Sequence, residues 1–204
     1  MRARELQKLR KEFGVNKQIP AAYEALILRV LSFYPELKRT HIRFRFKKKC
    51  PVPYGTKPAF LSVFKGKSKR IYVMTFRTEA KPPTLQALFH NLPEEAQRAV
   101  VAHELGHVLQ YESMALGELL GVALKLALSS SFRSKFESTA DRLAIEHGLG
   151  KELFVHATHI RNIPGYLEKR KSLDKNYLTP KEILRYITVL RFLPEDDSSA
   201  VQAG

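Results

Sequence analysis

Apolar and polar positions change period several times along the chain, and each change marks a predicted element. Met1 to Phe13 is short, basic and amphipathic, and reads as a helix. Pro20 stands where a helix start tolerates proline. Ala22, Leu26, Val30 and Phe33, with Ile27 and Leu31 beside them, give Ala21 to Phe33 a helical apolar face. The period then drops to two. In Thr40 to Lys49, Ile42, Phe44 and Phe46 point one way while Arg43, Arg45 and Lys47 point the other, the pattern of a half-buried strand. Prolines and a glycine make Cys50 to Pro58 a predicted loop. Phe60 to Phe64 and Ile71 to Phe76 are expected as an antiparallel hairpin around Lys65-Gly66-Lys67-Ser68-Lys69. After the break at Lys81-Pro82-Pro83, Thr84 to Phe89 is expected as a short edge strand.

From Asn91 the period is helical again. Asn91-Leu92-Pro93-Glu94 supplies a cap, an early proline and a carboxylate, and predicts a helix to about Tyr111. Met114 to Leu128 is strongly apolar but carries Glu118 and Lys125. A third helix is expected from the Ser129-Ser130-Ser131 cluster to a glycine stop at Gly148, a fourth over Lys151 to Ile160, and a last one from Thr179-Pro180-Lys181-Glu182 to near Phe192. The fold class is therefore α+β: N-terminal helices and a short antiparallel sheet, then a run of helices. One domain is predicted over residues 1–193, with 194–204 a disordered tail.

Composition narrows the class of protein more than its chemistry. With 204 residues, 44% hydrophobic and 27% charged, the chain has the make-up of a globular domain rather than of a disordered or fibrous one. One cysteine, Cys50, excludes an internal disulfide framework and a cysteine-based zinc finger. The charged Met1 to Phe13 lacks the apolar core of a secretory signal, and no uncharged apolar run reaches 18 residues. A cytoplasmic protein without a transmembrane segment is the expectation, with a peripheral place at a membrane surface as a variant. Thirty-five basic against 20 acidic residues give a net charge of +15. That excess suits an anionic surface or nucleic acid, or is simply a solvated basic surface.

The chemistry concentrates in His103-Glu104-Leu105-Gly106-His107. Side chains four apart on a helix share a face, so two imidazoles at this spacing can take one metal ion. Glu104, beside the first, can reach a metal-bound water as general base. Val101, Leu105 and Val108 form one stripe of the helix, and Ala99, His103, Gly106 and His107 another, which suits a cleft between packed elements. The competing reading is a surface helix with two incidental histidines. A third ligand is needed, and Glu137, His147, His156 and His159 lie downstream. Glu137 and Asp141 are again four apart: one carboxylate can bind the metal while the other accepts the free N–H of a ligating imidazole, unless both are solvated charges paired with Arg133 or Arg142.

HELGH followed by a helix bearing Glu137-Ser138-Thr139-Ala140-Asp141 resembles the gluzincin zinc metallopeptidases, most closely the HtpX and CAAX-prenyl-protease branch. The match runs over about residues 93–148. The resemblance implies a zincin-like domain holding one Zn2+ per chain, with His103, His107 and Glu137 as ligands, Glu104 as general base and acid, and Asp141 orienting a ligating histidine. It also implies an edge strand that pairs with extended substrate, in the position of Thr84 to Phe89, and an oxyanion donor among His147, His156, His159 and Tyr166. Members of that branch carry spanning helices, whereas Met114 to Leu128 is too short and too charged to span. It is expected as a core helix, with a membrane-surface or lid role as the alternative. A zinc-coordinating Cys50 that keeps the enzyme latent is the less favoured reading beside an ordinary reduced thiol.

The activity implied is a zinc-dependent metalloendopeptidase acting on a polypeptide substrate through zinc-bound water. Two rivals stand beside it: a nucleic-acid-associated regulator of the ImmA/IrrE type, which also carries HELGH, and a zinc-bearing binding module without turnover.

Overall fold

The computed structural model describes residues 3–165 and 167–192. Its elements are α1 (Ala3–Phe13), β1 (Lys17–Gln18), α2 (Glu24–Leu31), β2 (His41–Lys47), β3 (Tyr54–Pro58), β4 (Ile71–Arg77), α3 (Glu94–Ser113), α4 (Leu116–Leu128), α5 (Ser130–Ala144), α6 (Gly150–Arg161), α7 (Leu167–Asn176) and α8 (Pro180–Phe192). The chain is thus α+β, with a four-stranded mixed sheet in the order β1-β2-β4-β3.

The alternation of β2 does what its period requires. Ile42, Phe44 and Phe46 register with Tyr72, Met74 and Phe76 of β4, so one face of the central pair is apolar. That face packs with Ile27, Leu28 and Leu31 of α2 and with Val101, Leu105 and Val108 of α3 in the main core. Each such side chain, fully buried, contributes about 1.5–3 kcal/mol. The pairing itself differs from the expected hairpin in two ways. β2 and β4 are parallel, and the antiparallel partner of β4 is β3, inside the stretch expected as a loop. An edge strand tolerates Gly55 and Pro58, which a central strand would not.

Phe60 to Phe64 is not a strand. Ser62 closes it into a 3-10 turn over Phe60–Ser62: its hydroxyl donates to the carbonyl of Ala59 and accepts the N–H of Ile71. Thr84 to Phe89 is not an edge strand either. It forms the 3-10 turns Thr84–Ala87 and Phe89–Asn91, and Ala87, Leu88 and Phe89 all turn into the interior instead of alternating.

α3 is the central helix, buried on nearly every side, so it shows no single apolar stripe. It starts at Glu94 after Pro93. Asn91 does not cap it, since its amide donates to the carbonyl of Leu85. α4 buries Leu119 and Val122 and leaves its other face open. Ser129 caps α5 by accepting the N–H of Phe132. Gly148, at φ +81°, lies in the irregular turn Ile145–Leu149 that joins α5 to α6, a backbone conformation that favours glycine. Thr179 and Glu182 bond reciprocally at the start of α8. The predicted tail lies outside the described residues.

Candidate metal centre

Two helices bring the candidate ligands together because nothing larger than hydrogen separates them at one point. A Cβ on Gly106 would lie 2.9 Å from the carbonyl oxygen of Ala140 and 3.1 Å from its Cα. This contact sets α3 against α5, and Glu137, nearly one turn before Ala140, comes to face His103 and His107. Oε2 of Glu137 lies 3.2 Å from Nε2 of His103 and 3.2 Å from Nε2 of His107. The one ligand atom offered by each residue lies within 4.8 Å of the other two, so the group can hold a metal ion.

The second ring nitrogens fix the imidazoles. His103 Nδ1 donates to Asp141 Oδ1 at 2.8 Å, and Asp141 Oδ2 accepts the N–H of Leu178 at 2.8 Å. His107 Nδ1 lies 2.8 Å from Oε1 of Gln110. The Gln110 amide has no freedom to turn over, because its Nε2 donates to the carbonyl of Phe136 at 3.0 Å. Its Oε1 must therefore accept, and His107 Nδ1 must carry the proton. With both Nδ1 atoms donating, neutral imidazoles aim two Nε2 lone pairs at a carboxylate oxygen. Something positive has to stand there: protons, or a metal ion.

Without metal, a proton on His103 takes that place. Burial works against charge on His103, but hydrogen bonds to Asp141 and Glu137 outweigh it and hold its pKa well above the ordinary histidine value. Burial likewise opposes a charged Glu137, yet hydrogen bonds from His103 and His107 keep its carboxyl far below the usual range. Three buried or nearly buried carboxylates (Glu104, Glu137 and Asp141) around two imidazoles make a site that a divalent cation suits electrostatically. The two-nitrogen, one-carboxylate donor set fits zinc and its first-row neighbours better than magnesium or calcium.

Glu104 is only 2% exposed and is not part of that group. Its Oε2 is buried without a hydrogen-bond partner, and the neighbouring Thr56 hydroxyl also lacks one at good geometry. Burial raises its pKa, offset in part by His107, His103 and Thr56. A cavity of about 330 Å³ opens in front of it. β3 supplies one wall through Tyr54, Gly55 and Thr56, α3 and α5 the wall that carries His103, His107 and Glu137, α6 a third, and Tyr177 and Leu178 the segment before α8.

The proposed donors divide. His156 lines the cavity, with Nε2 at 2.8 Å from the Tyr54 hydroxyl. Burial, helped by the charges of His103, His159 and Arg161, pushes its pKa down to about 3, so it is neutral near pH 7. His147 is elsewhere: its ring stacks on Tyr34 at 4.2 Å, and Nδ1 donates to the carbonyl of Leu143. His159 does not line the cavity, nor does Cys50, whose carbonyl accepts from Arg77. Tyr166 lies outside the described residues. Tyr177 was not anticipated. Its ring lies 5.6 Å from that of His103, and burial, with Glu137, Tyr54, Glu104 and Asp141 nearby, raises its pKa well above 10, so it keeps its proton. The one sequence signal for it is its place just before the Thr179-Pro180 helix start. Comparison of the chain with protein-family models, curated proteins and solved structures finds no match.

Proposed function

We propose that the chain is a zinc-dependent endopeptidase of the gluzincin type, with a zincin-like fold. The observation that carries the reading is the division of labour in one cavity. His103, His107 and Glu137 converge on one point, while Glu104 beside them keeps an unpartnered carboxylate oxygen. A zinc ion held by the three would polarise a peptide carbonyl and lower the pKa of water to about 7.

The chain's own residues do the rest. Glu104 takes the proton of the attacking water and returns it to the leaving amine nitrogen. Asp141 and Gln110 hold the two imidazoles in the tautomer that leaves Nε2 free. Tyr177, protonated and lining the cavity, donates to the oxyanion. β3 is the edge strand at the cavity wall, so an extended polypeptide pairs there by strand addition, in place of the Thr84 to Phe89 segment.

Elemental analysis and digestion of an unfolded protein such as casein test the reading together. The expected result is one zinc per chain, lost in Glu137→Ala, and cleavage that disappears in Glu104→Gln while zinc remains. Cleavage that survives Glu104→Gln overturns the assignment.

A further inference from the structure

The segment Ala59 to Arg70, between β3 and β4, presents three large apolar side chains outward. Phe60, Leu61 and Phe64 are 75%, 76% and 60% exposed, although the sequence around them has the apolar content of a buried strand. This is not a loose loop. Ser62 is buried and bonded to Ala59 and Ile71, Val63 packs on the main core, and the backbone N–H of Ala59 donates to the carbonyl of Ile71. Fixing Ser62 and Val63 inward forces their neighbours out, and Phe60 and Phe64 meet edge to face at 5.9 Å.

The surroundings are basic. Lys57, Lys65, Lys67 and Lys69 are exposed around the three apolar tips. Between Glu36 and Glu79 the chain has 13 lysines and arginines and no acidic residue. Lys67 and Arg70 tie the segment to the C-terminal end of α3, through the carbonyls of Ser113 and Met114, just before α4 begins. α4 carries Leu120, Leu124 and Leu128 one turn apart on its open face, each more than half exposed, with Glu118 and Lys125 as its only charges. Rigidly held aromatic and aliphatic tips ringed by lysines fit a layer that is apolar within and anionic at its face. Edge-to-face phenylalanines beside a leucine offer no parallel platform for stacking bases. No helix among the described residues is long and apolar enough to cross a membrane.

We propose that the Ala59 to Arg70 segment is a docking surface for an anionic lipid bilayer: Phe60, Leu61 and Phe64 enter the headgroup region while Lys57, Lys65 and Lys69 pair with lipid phosphates and carboxylates. Each lysine held near such a surface contributes roughly a fivefold gain in partition.

The chain has no tryptophan, so Phe64→Trp introduces a single indole at the tip, excited apart from the tyrosines at its red edge. The full chain is mixed with phosphatidylcholine vesicles with and without about 30 mol% phosphatidylserine, at about 0.1 M salt so that screening is moderate. The expected result is a blue-shifted emission from the introduced indole and co-sedimentation with the anionic vesicles only. Phe60→Ser, Leu61→Ser and Phe64→Ser together should lower sedimentation at least tenfold, and Lys65→Gln with Lys69→Gln roughly twenty-fivefold. All these side chains are exposed, so an unchanged urea midpoint shows that the variants remain folded. Failure of the wild type to bind anionic vesicles overturns the proposal, as does binding that is unaffected by the triple substitution. Retention on duplex DNA without vesicle binding assigns the basic surface to nucleic acid and overturns it equally. None of these readouts depends on zinc or on peptide cleavage.

Discussion

Replacing Gly106 with alanine should loosen the metal centre, although alanine is the better helix former. The substitution gains about 1 kcal/mol of helix propensity. Against that, the new methyl would stand 2.9 Å from Ala140 O, 3.1 Å from its Cα and 3.4 Å from its carbonyl carbon, all backbone atoms of α5 that no rotamer change can move. The helices must part by roughly half an ångström, and overpacking of this kind costs about 1–3 kcal/mol. Gly121, also inside a helix, has nothing within 4 Å of its missing Cβ. Gly121→Ala should therefore show the propensity gain alone, about 0.5–1 kcal/mol. The difference between the two variants in urea unfolding of metal-free protein isolates the contact, and about 1–3 kcal/mol is expected. Because metal sites tolerate ligand shifts of only about 0.2 Å, Gly106→Ala should also weaken zinc binding at least tenfold in a chelator competition. If Gly106→Ala stabilises the chain as much as Gly121→Ala does, with zinc affinity unchanged, the close approach of α3 and α5 does not position the ligands.

Three further outcomes are expected. Asp141→Asn keeps the shape of the side chain but gives up the charge beside His103, and should weaken zinc binding about 10–100-fold in the same competition. Tyr177→Phe should lower kcat about 100-fold with KM little changed, since only the oxyanion donor is removed; equal loss in binding would deny it that role. His156, with its pKa pushed down to about 3, is neutral in the fold, whereas the unfolded chain takes up a proton near 6.5. Its contribution to stability is therefore complete above pH 6.5 and is lost as the pH falls towards 3, by up to roughly 5 kcal/mol. Urea midpoints of metal-free protein should fall as the pH is lowered from about 7 to about 5, and fall less in His156→Gln.

What could be read from the chain was what lies close together along it. The HELGH spacing, the Glu137–Asp141 pair, the Ser129 cap and the Thr179–Glu182 box are each contained within five residues, and short-range geometry is enough to bring their members together. The sheet was legible only where one face meets the core. β2 alternates cleanly, but β3 is an edge strand forming a cavity wall, so Gly55 and Pro58 disguised it as a loop. Phe60 to Phe64 misled in the opposite direction: Phe60, Leu61 and Phe64 face solvent, and hydropathy cannot distinguish that from burial. The parallel pairing of β2 with β4 and the arrival of Tyr177 over His103 depend on contacts far apart in sequence, and no local pattern encodes them. α7, polar along most of its length, offered no apolar period to find.

Asp141 has a consequence beyond steadying an imidazole. One of its oxygens holds His103, and the other holds the backbone of Leu178, the residue after Tyr177. The wall that carries His103 and the Tyr177–Leu178 segment of the cavity thus share one carboxylate. Linkage makes such sharing reciprocal. A peptide that tightens the Tyr177–Leu178 segment on binding would raise the affinity for metal by the same factor by which bound metal raises the affinity for that peptide. Under the proposed function, substrate would then act as a retention signal for zinc, and a chain idle in a zinc-poor setting would be the one most readily stripped.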